Sequence, residues 1–139
     1  LNPDYDRDYS FVAVSDGRLI GHLLFTPMEI HYDSALMIRT SFALAPISVR
    51  REFQRQGVGT RLIGFGLNQI QKNGAPSAIV LGHEHFYPKF GFLPAKTFHL
   101  RPPFPLKNEN CLMALELTLH SLPLDEGEGL LRYLPEFGF

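Results

Sequence analysis

Gln54-Arg55-Gln56-Gly57-Val58-Gly59-Thr60 follows the apolar run Phe42 to Val49 and opens the periodic segment Leu62 to Ile70. The order reads as a strand, a tight glycine turn and a helix start. At such a junction the first helical N–H groups have no intrahelical partner and the helix dipole places partial positive charge, so an anion is the natural occupant. Gly57 and Gly59 remove side chains that would hold a phosphate away from the backbone. Arg50, Arg51, Arg55 and Arg61 stand against Glu52 alone, so positive charge gathers where the turn already favours an anion. Two familiar phosphate signatures fail on spacing: the G-x-G-x-x-G fingerprint needs glycine where Leu62 stands, and a Walker loop needs Gly-Lys-Ser/Thr where Gly64 precedes Phe65. What remains is Gln-x-x-Gly-x-Gly after a strand.

The chain around this turn has 139 residues, 45% hydrophobic and 19% charged, which suits one domain with a sizeable core of its own. A net charge of −1 argues against a non-specific nucleic-acid binder. Cys111 is the one cysteine, so no internal disulfide forms and a reducing, cytoplasmic setting is the default. No apolar run reaches membrane-spanning length and no signal pattern opens the chain. The first residue is Leu1, not Met, so the start of the gene product is expected to lie outside this sequence.

Leu1 to Tyr9 is polar and turn-rich. Ser10 to Ser15 and Leu19 to Pro27 read as strands joined by the hairpin signal Asp16-Gly17. His22 reads as a strand histidine satisfied by a neighbour; Glu29, His31 and Tyr32 continue the extended pattern, and Tyr32-Asp33-Ser34 reads as a turn. Phe42 to Val49 is the next strand. Its Pro46 cannot donate to a ladder, which points to a bulge, or else to a shortened strand starting at Ile47. From Gly57 to Asn73, Val58, Leu62, Ile63, Leu67 and Ile70 recur at helical spacing, and Asn73-Gly74 with Pro76 ends the helix. Gly64 and Gly66 cost helix propensity, so close packing against a sheet is the expected compensation at both. Ala78 to Leu81 has the composition of a buried parallel strand, completing a right-handed βαβ unit. Thr97 to Arg101 and Cys111 to Leu119 read as closing strands around a proline-rich loop, and Leu130 to Tyr133 as a last short one.

Between the second strand of that unit and the closing strands runs Gly82-His83-Glu84-His85-Phe86-Tyr87-Pro88-Lys89-Phe90-Gly91-Phe92-Leu93-Pro94. The Gln-x-x-Gly-x-Gly turn, followed after a helix and a strand by a tyrosine four residues ahead of Gly-Phe, resembles the GNAT N-acetyltransferase superfamily. The Tyr-Pro-Lys-Phe-Gly-Phe segment and the ending Tyr133-Leu134-Pro135-Glu136-Phe137 are similar to a bacterial branch of it. The resemblance extends from Phe11 onward. It implies an α/β (α+β) fold with a mixed central sheet: antiparallel first strands, then a βαβ unit with splayed parallel strands and helices on the faces. It implies one acyl-CoA N-acyltransferase domain over the whole chain, truncated at the N-terminus, where the family has a strand and two helices ahead of the hairpin.

The same resemblance implies the chemistry. Acetyl-CoA would be the acyl donor, with its diphosphate on the amides of Gln54, Arg55, Gln56, Gly57, Val58, Gly59 and Thr60, and its pantetheine arm along Ile47, Ser48 and Val49 and beside Tyr87. The acetyl group would pass directly to a primary amine, from a small molecule or a peptide, in a ternary complex. A backbone N–H at Val49 or Ile47 would stabilise the thioester oxygen as it gains charge, and Tyr87 would protonate the leaving thiolate, with packing under the pantetheine arm as its bland alternative. The base stays open among Glu29, His83, Glu84 and His85, or a water relay. His83 and His85 form no His-Glu-x-x-His motif, so no metal is expected, and lone Cys111 reads as buried and inert. No nucleic-acid or membrane partner is implied, and a homodimer stays open. The rival readings are a domain of the same fold that binds acyl-CoA without turnover, and an interaction module whose glycine turn binds nothing.

Overall fold

The computed structural model describes residues 9–34 and 37–133. The expectations for the stretch before Tyr9 and for the ending beyond Tyr133 lie outside the described residues. The strands are β1 (Ser10–Ser15), β2 (Arg18–Tyr32), β3 (Ile38–Val49), β4 (Ser77–Leu81), β5 (Leu93–Pro94), β6 (Leu100–Arg101), β7 (Leu112–Glu116) and β8 (Gly129–Arg132), with α1 (Val58–Lys72) between β3 and β4. The strands form one mixed sheet in the order β5-β7-β4-β3-β2-β8-β6, and β1 pairs with β2. The expectation of helices on the faces is corrected to one: α1 is the only α-helix among the described residues, the remaining helical pieces being single 3₁₀ turns. Among the described residues no helix is long and apolar enough to cross a membrane. The chain divides into two compact units, one within Leu1–Thr26 and Leu44–Gly74, the other within Pro27–Ala43 and Ala75–Phe139.

In the first unit β1 and β2 form the antiparallel hairpin that Asp16-Gly17 signals; both residues are left-handed, with φ 50° and 74°, as a tight two-residue turn requires. α1 turns Leu62, Ile63, Gly66, Leu67 and Ile70 inward. Gly66 shows why a glycine is tolerated mid-helix: a Cβ there would lie 2.8 Å from Leu23 Cδ2 and 2.9 Å from Phe25 Cε2. Phe11 caps this contact, edge-on to Phe25 at 6.2 Å and to Phe65 at 5.9 Å. The expectation for Gly64 is corrected, because it is exposed and nothing lies within 4 Å of a Cβ built on it. Gly66→Ala is therefore expected to destabilise the fold by about 1–3 kcal/mol through overpacking, and Gly64→Ala to stabilise it by about 0.5–1 kcal/mol through helix propensity. Chemical denaturation of the two variants checks the opposite signs.

The second unit holds a continuous core of Met28, Ile30, Tyr32, Ala43, Ile79, Ala95, Leu100, Leu112, Ala114, Leu122 and Leu131. Here β3 and β4 run parallel, as the βαβ reading requires, with register Phe42↔Ala78 and Ala43↔Ile79. One residue earlier on each strand, the fully buried hydroxyls of Ser41 and Ser77 hydrogen-bond at 2.7 Å. The ladder ends at Ala43, ahead of Pro46, whose peptide bond with Ala45 is cis. β4 continues against β7 to the pair Leu81↔Leu112. The expected strand Thr97 to Arg101 is corrected to a 3₁₀ turn over Ala95–Phe98 followed by β6; left-handed His99, φ 58°, separates the two. β7 is shorter than Cys111 to Leu119, because past Glu116 the amides of Leu117 and Thr118 both turn to Pro76 C=O at 2.9 Å.

Candidate functional site

The glycine turn is built by backbone handedness. Arg55 and Gly57 have φ 65° and 82°, and Gly57 is the N-cap of α1. Turns of this kind direct successive N–H groups into one concavity. No side chain caps α1, no acidic residue stands in its first turn, and the first bond it closes with its cap runs from Arg61 N–H to Gly57 C=O at 3.0 Å. The helix dipole is thus offered to solvent without an internal anion. Arg50, Arg51, Arg55 and Arg61 are exposed around it, and none of the ion pairs among the described residues uses them.

The glutamines of the motif have a different task from its glycines. Gln54 Nε2 donates to Val49 C=O at 2.9 Å, and Gln56 Nε2 donates to Glu52 C=O at 3.0 Å. Both side chains tie the turn to the chain before it. Gly59 packs toward the strand end, its Cβ position 3.9 Å from Val49 Cγ2. At the end of β3, Ile47 and Val49 are half-buried while Ser48 is exposed, and Arg50 N–H donates to Ile20 C=O at 2.8 Å. Gly21 lets the helix approach: a Cβ there would meet Ser48 C=O at 3.3 Å and both Val58 and Leu62 at 3.4 Å. A shallow groove of about 250 Å³ runs along Gly21, His22, Ser48 and Val49, and a larger one of about 480 Å³ along β1, Gln56, Val58, Arg61 and Phe65. His22 is held as a strand histidine should be, 3.1 Å from Ser10 Oγ.

Tyr87 belongs to the second unit, in the 3₁₀ turn Tyr87–Phe90, which ends on left-handed Gly91 with φ 99°. Its ring is 8% exposed and lies edge-on to Phe86 at 5.0 Å and to Phe92 at 5.8 Å. Lys89 Nζ sits 3.9 Å over the Phe86 ring. The Tyr-Pro-Lys-Phe-Gly-Phe segment is therefore an aromatic cluster that fixes the tyrosine in place. Burial raises the Tyr87 phenol above its ordinary value of 10.0, so its proton is retained through neutral pH.

The remaining candidates have local partners of their own. Glu29 is exposed on β2 and paired with His31 Nε2 at 2.9 Å. Glu84 accepts from Asn108 Nδ2 at 3.1 Å, with His85 Nε2 3.8 Å away. His83 and His85 are exposed, His83 lending its backbone C=O to the Phe86 amide at 3.1 Å. None of the hydrogen bonds or ion pairs among the described residues joins either carboxylate to Tyr87. The expectation for Cys111 is corrected: it is half-buried and closes a 3₁₀ turn ahead of β7, where its C=O accepts Gly82 N–H at 2.9 Å. Asn108 and Gly82 carry no signal in the sequence, since their partners, Glu84 and Cys111, are brought to them only by the fold.

Known proteins share this fold. The chain is 36% identical over 120 residues to the uncharacterized N-acetyltransferase YjhQ of Escherichia coli K12, a match covering 83% of this chain and 64% of YjhQ. It thus spans less than two thirds of that relative. The crystal structure of the E. coli GNAT family N-acetyltransferase YhbS in complex with CoA superimposes with a TM-score of 0.79 at 27% identity, covering 94% of this chain and 69% of that one. A GNAT family acetyltransferase from Brucella melitensis in complex with acetyl-CoA gives 0.68 at 27% identity, covering 92% and 67%. The model of the acetyltransferase (GNAT) domain matches residues 6–94, which take in the glycine turn, α1 and the Tyr87 to Phe92 segment. The chain belongs to the GNAT acetyltransferase family.

Proposed function

We propose that this chain is the acyl-CoA-binding and transfer domain of an N-acetyltransferase, moving an acetyl group from acetyl-CoA directly to a primary amine. The observation that carries the reading is the uncapped N-terminus of α1 behind a left-handed turn, with no acid in its first turn and four exposed arginines around it. The CoA and acetyl-CoA complexes of its structural relatives support the choice of anion. In this reading the amides of the Gln54 to Thr60 turn hold the diphosphate, with Gln54 and Gln56 acting through their brace on the turn. The pantetheine arm follows Ile47, Ser48 and Val49, where a backbone N–H meets the thioester oxygen as it gains charge.

As the amine attacks, the carbon–sulfur bond breaks and the thiolate takes a proton from the Tyr87 hydroxyl, while the amine gives up its own proton. Tyr87 suits this role because it is buried and still protonated at neutral pH. Glu29 and Glu84 are proposed as alternative sites for the amine's proton; each is already oriented, by His31 and by Asn108. The acceptor is a small-molecule amine or a peptide amine, and a panel of both, with acetyl-CoA as donor, tests the reading by release of free thiol. Turnover on any of them is the expected result. Calorimetric binding of acetyl-CoA with no transfer to any amine would instead favour a domain that binds acyl-CoA without turnover, and no binding at all would remove the proposal.

A further inference from the structure

Gly82 follows β4 directly, five residues ahead of Tyr87, and the Cε2 edge of the tyrosine ring comes up against it. A Cβ built on Gly82 would stand 2.5 Å from Tyr87 Cε2, 3.2 Å from Cδ2 and 3.3 Å from Cζ. Carbon atoms rest about 3.5–4.0 Å apart at their best separation, so one added methyl group overlaps the ring by about 1 Å. We propose that Gly82 is a positioning residue for Tyr87, its missing side chain forming the floor that sets where the phenol hydroxyl is delivered. This inference rests on the reading of Tyr87 as proton donor.

Both partners are held by further contacts. The Gly82 amide is tied to Cys111 C=O at 2.9 Å, which anchors it to the chain entering β7. The ring also packs edge-to-face with Phe86 at 5.0 Å and Phe92 at 5.8 Å, and Phe92 is itself 1% exposed. The turn that carries the ring is fixed by bonds from the Phe86 and Tyr87 amides to His83 C=O, at 3.1 and 3.4 Å. Nor is the glycine explained by backbone handedness. Gly82 is absent from the left-handed glycines, which include Gly57, Gly74 and Gly91. The three atoms nearest a Cβ at this position all belong to the Tyr87 ring, so the steric demand comes from that ring. A side chain at this position drives the ring, and the hydroxyl with it, by a distance that well-positioned catalytic groups do not tolerate: a shift of about 1 Å costs about 10²-fold.

The test compares four forms of this chain, the parent, Gly82→Ala, Tyr87→Phe and the double variant, with acetyl-CoA and the best amine of the panel. Gly82→Ala is expected to lower kcat by about 10²-fold with the KM for acetyl-CoA changed by less than about 3-fold, and to cost less than about 3-fold when added to Tyr87→Phe, since no hydroxyl is left to misplace. Equal losses in the two backgrounds, or an unchanged kcat in Gly82→Ala, would overturn the proposal. A second readout needs no turnover. Gly82→Ala should lower Tm in the parent and leave it unchanged in Tyr87→Ala, where the ring is gone; the same drop in both overturns the contact itself. Should Tyr87→Phe retain full activity, the donor role falls and the positioning role with it, while the melting pair still reports whether the ring rests on Gly82.

Discussion

Gly59→Val is expected to abolish acetyl-CoA binding measurable by calorimetry while leaving the fold intact. The position is favourable for a clean result. A Cβ on Gly59 has only Val49 Cγ2 near it, at the ordinary contact distance of 3.9 Å, and Gly59 is not among the left-handed residues. The protein therefore has room for a Cβ at this position, and the loss is expected to fall on whatever approaches the turn from outside. Displacing a diphosphate from two charge-assisted bonds of about 1.5–3 kcal/mol each weakens binding by about 10²- to 10⁴-fold. Gly57→Val is expected to have the same effect on binding, with an added cost to the fold. Its φ of 82° is left-handed, and a residue with a Cβ loses about 1–2 kcal/mol there. Unchanged affinity in Gly59→Val, with an unchanged melting temperature, would contradict the assignment of the turn.

Tyr87→Phe is expected to lower kcat by about 10²-fold or more, the contribution of a positioned general acid. The ring contacts with Phe86 and Phe92 do not involve the hydroxyl, so stability and acetyl-CoA affinity should hold. An unchanged rate would reduce Tyr87 to a packing residue. The pH profile supplies a second measure. An acid works only while protonated, so activity is lost as pH rises through its pKa. Burial raises that pKa above the ordinary 10.0, so the alkaline limb assigned to Tyr87 belongs above pH 10 and should vanish from the residual activity of Tyr87→Phe.

What was legible in the chain was local. The hairpin at Asp16-Gly17 needs only two residues able to adopt left-handed backbone. α1 announces itself by Leu62, Ile63, Leu67 and Ile70 on one face and by the Asn73-Gly74 stop. The glycine turn was readable for the same reason, because the dipole and its orphan amides are properties of a single junction. What escaped was set by contacts across the fold. Gly64 and Gly66 look alike in sequence, yet only Gly66 faces Leu23 and Phe25. The segment 97–101 has strand composition but is broken by left-handed His99. Gly82 stands in sequence only as the residue after Leu81, and the folded chain alone brings the Tyr87 ring against it. In the candidate site, the glycines were chosen from the strand-turn-helix pattern and Tyr87 from the family resemblance, whereas the bonds of Gln54 and Gln56 to the Val49 and Glu52 carbonyls follow from no spacing rule.

A crystal structure of this chain grown with acetyl-CoA tests the central claim most directly. The account predicts diphosphate oxygens within hydrogen-bonding distance of successive backbone amides in the Gln54 to Thr60 turn, with the thioester lying along Ile47 to Val49. A diphosphate bound elsewhere on the chain, with that turn contacting only solvent, would contradict it.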